Sequence, residues 1–328
     1  FPVDRHDAVV LEGKGFRGSA RSALRVLGMF RKLGPALTYI AGYVHLQTVI
    51  AILYAALTGR RFVVHADVFN NGMPEGRLRR LKWVVREALR RVVFARAEAV
   101  LVCGRLGVET ARSAGCPEHK IRDFPYSISL ARLMTDQPET VPAGCREDIS
   151  ARRTVVLFSG RMIPRKGLAT LLKAMARVSS QAEWMLWVEG AGPELETYTG
   201  LARSLGLEGK CRFLGFCQYD LHSWLMRSAD VVVVPSFEDS WGIVVDEGLQ
   251  LGKAVVSSDA TGSGVDRIVH GVNGFVFPAG DDDALLHALS GLLDDPALRA
   301  KVGQAAAAGP RNVRPEDNVV TLMNVVDG

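Results

Sequence analysis

Short, continuous runs of apolar residues recur along this sequence, and they constrain the fold more than any other feature. Residues 231–234 are four consecutive valines, and 155–159 and 184–189 are similarly apolar. Such runs are typical of parallel strands that are covered on both faces. Stretches with helical periodicity separate them in both halves of the chain. This alternation predicts an α/β protein with two doubly wound, Rossmann-like domains.

The predicted elements follow that alternation. In the first half we predict strands at Ala8–Leu11, Leu37–Ile40, Phe62–His65 and Val100–Val102 and helices at Ser22–Leu33, Thr48–Leu57, Leu78–Ala97 and Gly107–Ala114. In the second half we predict strands at Val155–Ser159, Trp184–Glu189, Arg212–Leu214, Val231–Val234, Ala254–Ser257 and Gly274–Phe277, and helices at Leu168–Ser179, Glu194–Leu205, Leu221–Ser228, Glu247–Leu251 and Asp283–Leu293. Ligands of such sheets bind beyond the carboxyl ends of the strands, so we expect the active site in a cleft between two facing domains.

The length of 328 residues exceeds what one core usually supports, and 48% hydrophobic residues suffice for two cores. The polar segment 138–153 contains prolines and predicts domains at 1–148 and 149–328. The first carries 23 Lys and Arg against 14 Asp and Glu, and the second carries 17 against 21, which suits different partners. Because the chain opens on Phe-Pro shortly before a strand, we expect an earlier strand and its glycine-rich loop to be missing.

Several classes of protein are disfavoured by composition. Five cysteines without a Cys-x-x-Cys or Cys/His cluster favour reduced thiols in a cytosolic protein without structural zinc. The apolar stretch 40–57 approaches membrane-spanning length but contains His45 and Gln47, so we interpret it as a strand end followed by a buried helix. The acidic run 281–283 is better explained as a helix start than as a metal motif. Aromatic residues make up 7% of the chain and do not interleave with the cations, so nucleic acid is not an expected partner.

The turn at 160–167 lies between a predicted strand and a predicted helix, and it carries two cations that suit a diphosphate. The N-terminus of a helix favours phosphate, Arg161 adds a fork of donors and Lys166 adds a point charge. An ordinary solvated basic turn is the alternative interpretation. Gly190 and Gly192 follow another strand and would lie at the same sheet edge, where they permit either close backbone approach or a plain turn.

Residues 235–248, PSFEDSWGIVVDEG, follow the valine strand and hold two pairs of acids with the same spacing. A carboxylate accepts two hydrogen bonds, so it can hold a vicinal diol such as that of ribose. In one register Asp239 pairs with Glu247, and in the other Glu238 pairs with Asp246. Four solvated acids are the alternative. A nucleotide sugar is the simplest ligand that explains both the basic turn and these acids.

The second half resembles the retaining nucleotide-sugar glycosyltransferases of family four, which have the GT-B fold. The residues that carry the resemblance, dense over 150–300, are Gly160-Arg161, Lys166-Gly167, Gly190-x-Gly192-Pro193, Ala229-Asp230, Pro235-Ser236, Trp241-Gly242, Glu247-Gly248, Gly252-Lys253-Ala254-Val255-Val256 and Gly271-Val272-Asn273-Gly274. In the first half only the strand–helix pattern matches. The resemblance implies an acceptor-side first domain and a second domain that binds the nucleotide sugar.

The resemblance also implies roles for individual residues. Arg161 and Lys166 would contact the donor diphosphate, and Glu247 would bind the ribose hydroxyls. Asp239 would bind the donor sugar, since Trp-Gly follows it where the family has Phe-Gly after a Glu. Asp is one methylene shorter than Glu, and Glu238 could compensate. The implied donor-binding residues are Gly160, Glu189, Gly190, Glu238, Asp239, Ser240, Trp241, Gly242, Ile243 and Glu247.

In the first domain the family tends to carry a His after the strand that corresponds to 62–65. Asp67 occupies that slot here, and His65 lies one strand repeat earlier, so the two could share a face. Either could approach the donor sugar. A core or strand-end histidine is the alternative for His65.

The implied reaction is retaining, metal-independent transfer of a glycosyl group from a nucleoside diphosphate to an acceptor hydroxyl, with no cofactor besides the donor. Side-chain cations would stabilise the leaving group, and the donor phosphate would take the acceptor proton. Bacterial polysaccharide, lipopolysaccharide or glycolipid assembly is the expected context. Two alternatives stay open: a nucleotide-sugar epimerase that uses His65 and Asp67, and a non-catalytic nucleotide-sugar-binding protein.

Residues 77–96 predict a helix with an apolar stripe, many Arg and Lys residues and a single Glu. The helix could dock on anionic lipid, each cation adding roughly 1 kcal/mol, or it could pack its stripe inward as an ordinary domain helix. Docking would place a cytoplasmic protein on the inner face of the cell membrane and would suit a lipid-linked acceptor.

Overall fold

The computed structural model describes residues 28, 37–43, 45–69, 77–135, 137–179, 181, 183–309 and 315–327, with the backbone alone at 77–79, 81, 82, 315 and 327. The predicted strand Ala8–Leu11 and nearly all of the predicted helix Ser22–Leu33 lie outside these ranges. The chain divides into two units. One comprises the residues up to Phe124 together with 316–328, and the other comprises Pro125–Pro315.

The first unit contains a four-stranded parallel sheet in the order β1-β2-β3-β4. Its strands are β1 (Thr38–Ala41), β2 (Phe62–His65), β3 (Ala99–Val102) and β4 (Ile121–Asp123), and helices α1 (Leu46–Thr58), α2 (Arg77–Arg96) and α3 (Gly104–Ser113) lie between them. The apolar stretch 40–57 is therefore a strand end followed by a helix, as predicted, and α1 buries Ala51, Ile52 and Ala55. None of the described helices has the length and apolar character needed to cross a bilayer.

The second unit contains a six-stranded parallel sheet in the order β10-β9-β8-β5-β6-β7. The strands are β5 (Thr154–Ser159), β6 (Trp184–Glu189), β7 (Cys211–Gly215), β8 (Val231–Val234), β9 (Ala254–Ser258) and β10 (Phe275–Phe277). The helices are α4 (Leu130–Thr135), α5 (Ala143–Ser150), α6 (Leu168–Ala176), α7 (Leu195–Ser204), α8 (Tyr219–Ser228), α9 (Ile243–Gln250), α10 (Gly262–Arg267), α11 (Asp282–Asp294) and α12 (Pro296–Ala308). The parallel sheets of the two units confirm the predicted α/β class. In the described part of the chain, the strand order reverses, as in a doubly wound sheet, only in the second unit, between β5 and β8.

The valine strand β8 explains why its sequence shows no polar alternation. Val231 and Val233 belong to the core on one face of the sheet, together with side chains of α6 and α11. Val232 and Val234 belong to the core on the other face, together with side chains of α8 and α9. Both faces exclude water, so every position of the strand gains from an apolar side chain.

The two units do not divide at the predicted boundary between residues 148 and 149. The division falls at Pro125 instead, so that α4 and α5 belong to the second unit. Polar composition and prolines marked the segment as a linker. However, α5 buries Cys145 and Asp148, and α4 buries Leu133, which ties this stretch to the second core.

The last described helix, α13 (Pro315–Asp327), joins the first unit although the whole second unit precedes it in the chain. Its Val325 packs with Val63 of β2 and with Ala99 and Leu101 of β3. In addition, Arg61 donates hydrogen bonds of 2.8 Å to the carbonyl oxygens of residues 325 and 326. The predicted second domain, 149–328, therefore includes a helix that packs elsewhere.

All five cysteines are unpaired in the structure. One smaller prediction is confirmed. Asp281 is the N-cap of α11, and its side chain accepts hydrogen bonds from the backbone N–H groups of residues 283 and 284. The acidic run 281–283 is thus a helix start.

Asp148 of α5 holds that helix against the edge of the second sheet. Its fully buried carboxylate accepts hydrogen bonds from Arg153, from Arg212 of β7 at 2.6 and 2.9 Å, and from the indole N–H of Trp187 of β6 at 2.9 Å. Burial pushes the pKa of Asp148 upward, but the hydrogen bonds from Arg212, Trp187 and Arg153 outweigh it and leave the pKa below its ordinary value.

Replacing Asp148 with Ala should lower the free energy of unfolding by about 3 kcal/mol, because two arginines and an indole N–H would lose a buried acceptor. Chemical denaturation followed by circular dichroism measures the change. Glu147→Ala, on the exposed face of the same helix, is the matched control and should change stability by less than about 0.5 kcal/mol. A lowered pKa means that the contribution is lost on acidification, so the wild-type advantage should shrink below pH 3.8. An advantage that grew there would contradict this assignment.

Candidate glycosyl-donor site

The basic turn after β5 lies directly against the loop after β8. Residues Pro164–Lys166 form a 3-10 turn, and Gly167 follows with φ of 71° before α6 begins. A Cβ atom at Gly167 would collide with the carbonyl oxygen of Pro235. Only glycine combines this left-handed backbone with such a close approach. The Lys-Gly pair of the sequence therefore sets how closely the two loops meet.

Three further contacts join the same two loops. The backbone N–H of Phe237 donates to the carbonyl of Arg165 at 2.8 Å, and the Arg165 guanidinium donates to the carbonyl of Glu238 at 2.9 Å. The ammonium of Lys166 forms an ion pair with the carboxylate of Asp239, and both side chains are largely buried. Lys166 and Asp239, which lie 73 residues apart in the sequence, thus meet at one sheet edge.

The four acids of residues 235–248 separate into different environments. Asp246 is fully buried, accepts a 2.6 Å hydrogen bond from the indole N–H of Trp241, and lies 3.5 Å from Arg267. Burial raises the pKa of Asp246 to about 6. Glu238 is exposed, whereas Asp239 is buried against Lys166. Asp246 therefore anchors the loop through Trp241, and the 239/247 register of the site stays a prediction.

The start of α9 is fixed by the neighbouring loop around residue 261. Gly242 is the N-cap residue, with φ of 80°, and a Cβ there would strike the Thr261 side chain. The Ser263 hydroxyl donates to the carbonyls of Trp241 and Gly242 at 2.5 and 2.8 Å. The first-turn N–H groups of a helix have no partner within it and form a positive dipole end. The N-terminus of α9 provides such an end, and a Cβ at Gly242 would lie 3.5 Å from Asp239 Oδ2.

Glu189, Gly190 and Gly160 belong to the same edge, because β6 and β8 both pair with β5. The backbone N–H of Gly160 donates to the carbonyl of Glu189 at 3.0 Å. Gly190, with φ of 130°, passes so close to the carbonyl of Gly160 that a Cβ could not fit. Gly192 approaches the carbonyl of Met162 in the same way. These glycines serve close backbone approach rather than a plain turn.

Arg161 is exposed at the start of the basic turn. Among the residues that the structure describes, its side chain forms no hydrogen bond or ion pair. Its guanidinium therefore has all five donors available to a ligand. Its predicted contact with the donor diphosphate stays a prediction.

A residue that the sequence prediction missed joins two of the acids. His222 of α8 lies between Glu189 and Glu247: Nδ1 is 2.8 Å from Glu189 Oε2, and Nε2 is 3.0 Å from Glu247 Oε2. Burial alone would lower the pKa of His222, but the hydrogen bonds and charges of both carboxylates outweigh it and raise the pKa to about 10. His222 is therefore an imidazolium at neutral pH. No pattern marked it, since a lone histidine in a predicted helix carries no spacing signal.

In the first unit, His65 ends β2 and Asp67 follows it. The ring of His65 lies with Nδ1 2.5 Å from the hydroxyl of Tyr39 and with Nε2 3.7 Å from Asp67 Oδ1. Burial lowers the pKa of His65, and Asp67 opposes that effect. His65, Asp67 and Cys103 offer ligand atoms within 4.8 Å of one another, a set that could hold a metal ion. The predicted approach of His65 and Asp67 to the donor sugar stays a prediction.

A family model matches most of the second unit. Residues 146–308 match the family model described as glycosyl transferases group 1. The lipopolysaccharide core biosynthesis glycosyltransferase LpsD of Rhizobium meliloti is 34% identical over 198 residues, which cover 60% of this chain and 55% of LpsD. Alpha-D-kanosaminyltransferase of Streptomyces kanamyceticus is 26% identical over 232 residues, which cover 70% of this chain and 58% of that enzyme. The chain thus spans little more than half the length of these relatives.

Solved structures extend the likeness to both units. HepE of Anabaena in complex with UDP and glucose has a TM-score of 0.76 at 20% identity, covering 96% of this chain and 84% of HepE. Sucrose-phosphate synthase of Thermosynechococcus elongatus has a TM-score of 0.75 at 19% identity, and the match covers 95% of this chain and 78% of the synthase. At these identities the likeness shows the fold, and it confirms the predicted GT-B class. Together with the family match, it makes the second unit similar to the group 1 glycosyl transferases.

Proposed function

We propose that this chain transfers a glycosyl group from a nucleoside-diphosphate sugar to an acceptor hydroxyl with retention of anomeric configuration. The observation that carries the proposal is the meeting of Lys166, Asp239 and the start of α9 at one sheet edge, with Glu247 on that helix. A cation suits the diphosphate, and buried carboxylates suit sugar hydroxyls. The match of residues 146–308 to the group 1 glycosyl transferases supports the reaction class.

In this proposal Arg161 and Lys166 bind the donor diphosphate, and Glu247 binds the ribose. The solved structure of HepE contains UDP and glucose, which supports a nucleotide sugar as the donor class. Gly160, Glu189 and Gly190 shape the edge through their close backbone contacts. The base and the sugar are not assigned.

The ion pair between Lys166 and Asp239 balances the buried charges of the site. Two oppositely charged groups that are largely buried stabilise each other, whereas either alone would carry a desolvation penalty. A bound donor would bring phosphate oxygens to Lys166 and a sugar hydroxyl to Asp239, so both groups would keep a partner. Asp239, which is shorter than the Glu of the family, would hold the sugar closer to the backbone.

The proposed mechanism relies on charges that are in place before the reaction. As the glycosidic bond breaks, negative charge grows on the diphosphate, and Lys166, Arg161 and the dipole of α9 would stabilise it more in the transition state than in the ground state. The acceptor proton would pass to the donor phosphate on the same face, so no protein base is needed. Because side chains supply the positive charge, we propose that transfer needs no metal.

We also propose that α2 brings the protein to an anionic membrane surface, where a lipid-linked acceptor would lie. The second half of the helix packs inward through Leu89 and Val93, as an ordinary domain helix does. Nearer its start, however, Val84 and Val85 are 54% and 61% exposed, and Arg80 is exposed beside them. Apolar side chains with flanking cations suit an interface of anionic headgroups.

Lys166→Ala should reduce glycosyl transfer by on the order of a hundredfold or more, because it removes a cation that acts on the leaving group. Lys173→Ala, an exposed lysine on α6, is the matched control and should transfer at the wild-type rate. The assay follows nucleoside diphosphate release with acceptor present and absent. Dependence on acceptor separates transfer from epimerisation, which needs none. Wild-type rates in Lys166→Ala would refute the assignment.

A nucleotide-sugar donor should raise the unfolding midpoint of the wild-type protein. At a concentration one hundred times its dissociation constant, a ligand stabilises the fold by about 2.7 kcal/mol. A thermal-shift panel of UDP-, GDP- and ADP-linked sugars identifies the donor. Glu247→Ala should lose the shift, whereas Glu196→Ala on the exposed face of α7 should keep it. No shift with any donor would count against the proposed function.

Vesicle flotation tests the proposed membrane contact. The protein should float with vesicles of phosphatidylcholine and phosphatidylserine but not with phosphatidylcholine alone, because the attraction is electrostatic. The double variant Val84→Ser, Val85→Ser should float several-fold less, and 0.5 M salt should weaken binding of the wild type. A matched double change at exposed valines of α13, Val319→Ser with Val320→Ser, is the control. Equal flotation of all three proteins would exclude α2 as the contact.

A further inference from the structure

His222 bridges two acids that come from different elements of the second unit. Glu189 is the last residue of β6, His222 lies in the first turn of α8, and Glu247 lies in the middle of α9. Both ring nitrogens are used: Nδ1 contacts Glu189 at 2.8 and 3.0 Å, and Nε2 contacts Glu247 at 3.0 Å. All three side chains are at most 12% exposed.

The charges of this triad explain why a cation is needed at its centre. Two buried carboxylates on either side of one ring would be unfavourable without a cation between them. A protonated imidazole gives each of them a charge-assisted hydrogen bond. A carboxylate held in this way can accept hydrogen bonds from a diol.

The geometry leaves part of the Glu247 carboxylate for a ligand. Its Oε2 accepts from His222, whereas Oε1 receives no hydrogen bond from any group in the described part of the chain. A rigid five-membered ring held at both nitrogens fixes the rotation of that carboxylate. Glu189, in turn, fixes the ring through Nδ1.

We propose that His222 is a positioning residue of the donor site, which holds the Glu247 carboxylate in one orientation so that its free oxygen binds the vicinal hydroxyls of the donor ribose. This inference rests on the proposed function, since it concerns the same nucleotide-sugar site. His222 does not touch the reacting atoms. It acts through Glu247, and Glu189 acts through His222.

The test compares ligands that differ by one hydroxyl. Isothermal titration with UDP, GDP and ADP finds the nucleoside diphosphate that wild-type protein binds most tightly, and the titration is repeated with its 2′-deoxy form. Wild type should bind the deoxy form about tenfold or more weakly, since a hydrogen bond to a buried carboxylate is lost. In His222→Gln the affinity for the ribonucleotide should fall about tenfold, whereas the affinity for the deoxy form should change little. The affinity ratio, defined as the affinity for the ribonucleotide divided by that for the deoxy form, should therefore approach one.

Two more variants keep the result interpretable. His287→Gln, an exposed histidine on α11, should keep the wild-type ratio. Glu189→Gln leaves His222 in place but removes the carboxylate that holds Nδ1, so the ratio should fall below that of wild type. If circular dichroism shows that His222→Gln is unfolded, the affinity ratio of Glu189→Gln tests the inference instead. In the transfer assay His222→Gln should raise the donor KM with kcat little changed, because ribose binding is uniform through the reaction.

The outcomes separate this inference from the proposed function. If wild type binds none of the three nucleoside diphosphates, the proposed function and the inference are both wrong. If wild type binds without discriminating the deoxy form, or if both variants keep the wild-type ratio, the inference is wrong and donor binding stands. The inference is supported if the affinity ratio falls in His222→Gln or in Glu189→Gln and stays at the wild-type value in His287→Gln.

Discussion

The close passage of Gly167 over the carbonyl of Pro235 is the contact on which the candidate site depends. It lets the basic turn after β5 lie against the loop after β8, two strands that pair directly in the sheet. With any larger residue the two loops would move apart, and Lys166 would no longer reach Asp239. Gly190 and Gly192 make the same kind of close approach to backbone carbonyls, between the loops after β5 and β6. Backbone against backbone, rather than side-chain packing, therefore sets the spacing of the charged groups.

The buried acids of the second unit share a second constraint, because each has a donor fixed nearby. Asp239 faces Lys166, Asp246 faces Trp241 and Arg267, and Glu189 and Glu247 share His222. A buried carboxylate without such a donor would be strongly unfavourable. These acids differ in their exposure to solvent. Asp246 is fully buried and supports the loop, whereas Asp239 and Glu247 are slightly exposed at the sheet edge.

The sequence predicted features that depend on neighbouring residues better than features that depend on distant ones. Runs such as the valines of β8 indicated parallel strands, and chain order at the sheet edge brought Lys166 and Asp239 to one place. The Trp-Gly pair favours the 239/247 register, which stays a prediction, and the hydrogen bond from Trp241 to Asp246 could not be foreseen from the spacing. His222 could not be predicted, because its role arises only when α8 lies between two other elements. The unit boundary was missed for the same reason. Asp148 ties α5 to the second unit through hydrogen bonds from arginines that only the folded chain brings close to it.

The return of α13 to the first unit has a consequence for how the chain folds during synthesis. Val325 covers Val63, Ala99 and Leu101, and a ribosome makes it only after residues 125–315 are complete. Until then this part of the first sheet faces water, although its strands were made early. The later unit, by contrast, is one continuous segment whose contacts are all available once Pro315 has emerged. Vectorial synthesis should therefore let the second unit mature before the first, the reverse of the usual N-to-C order.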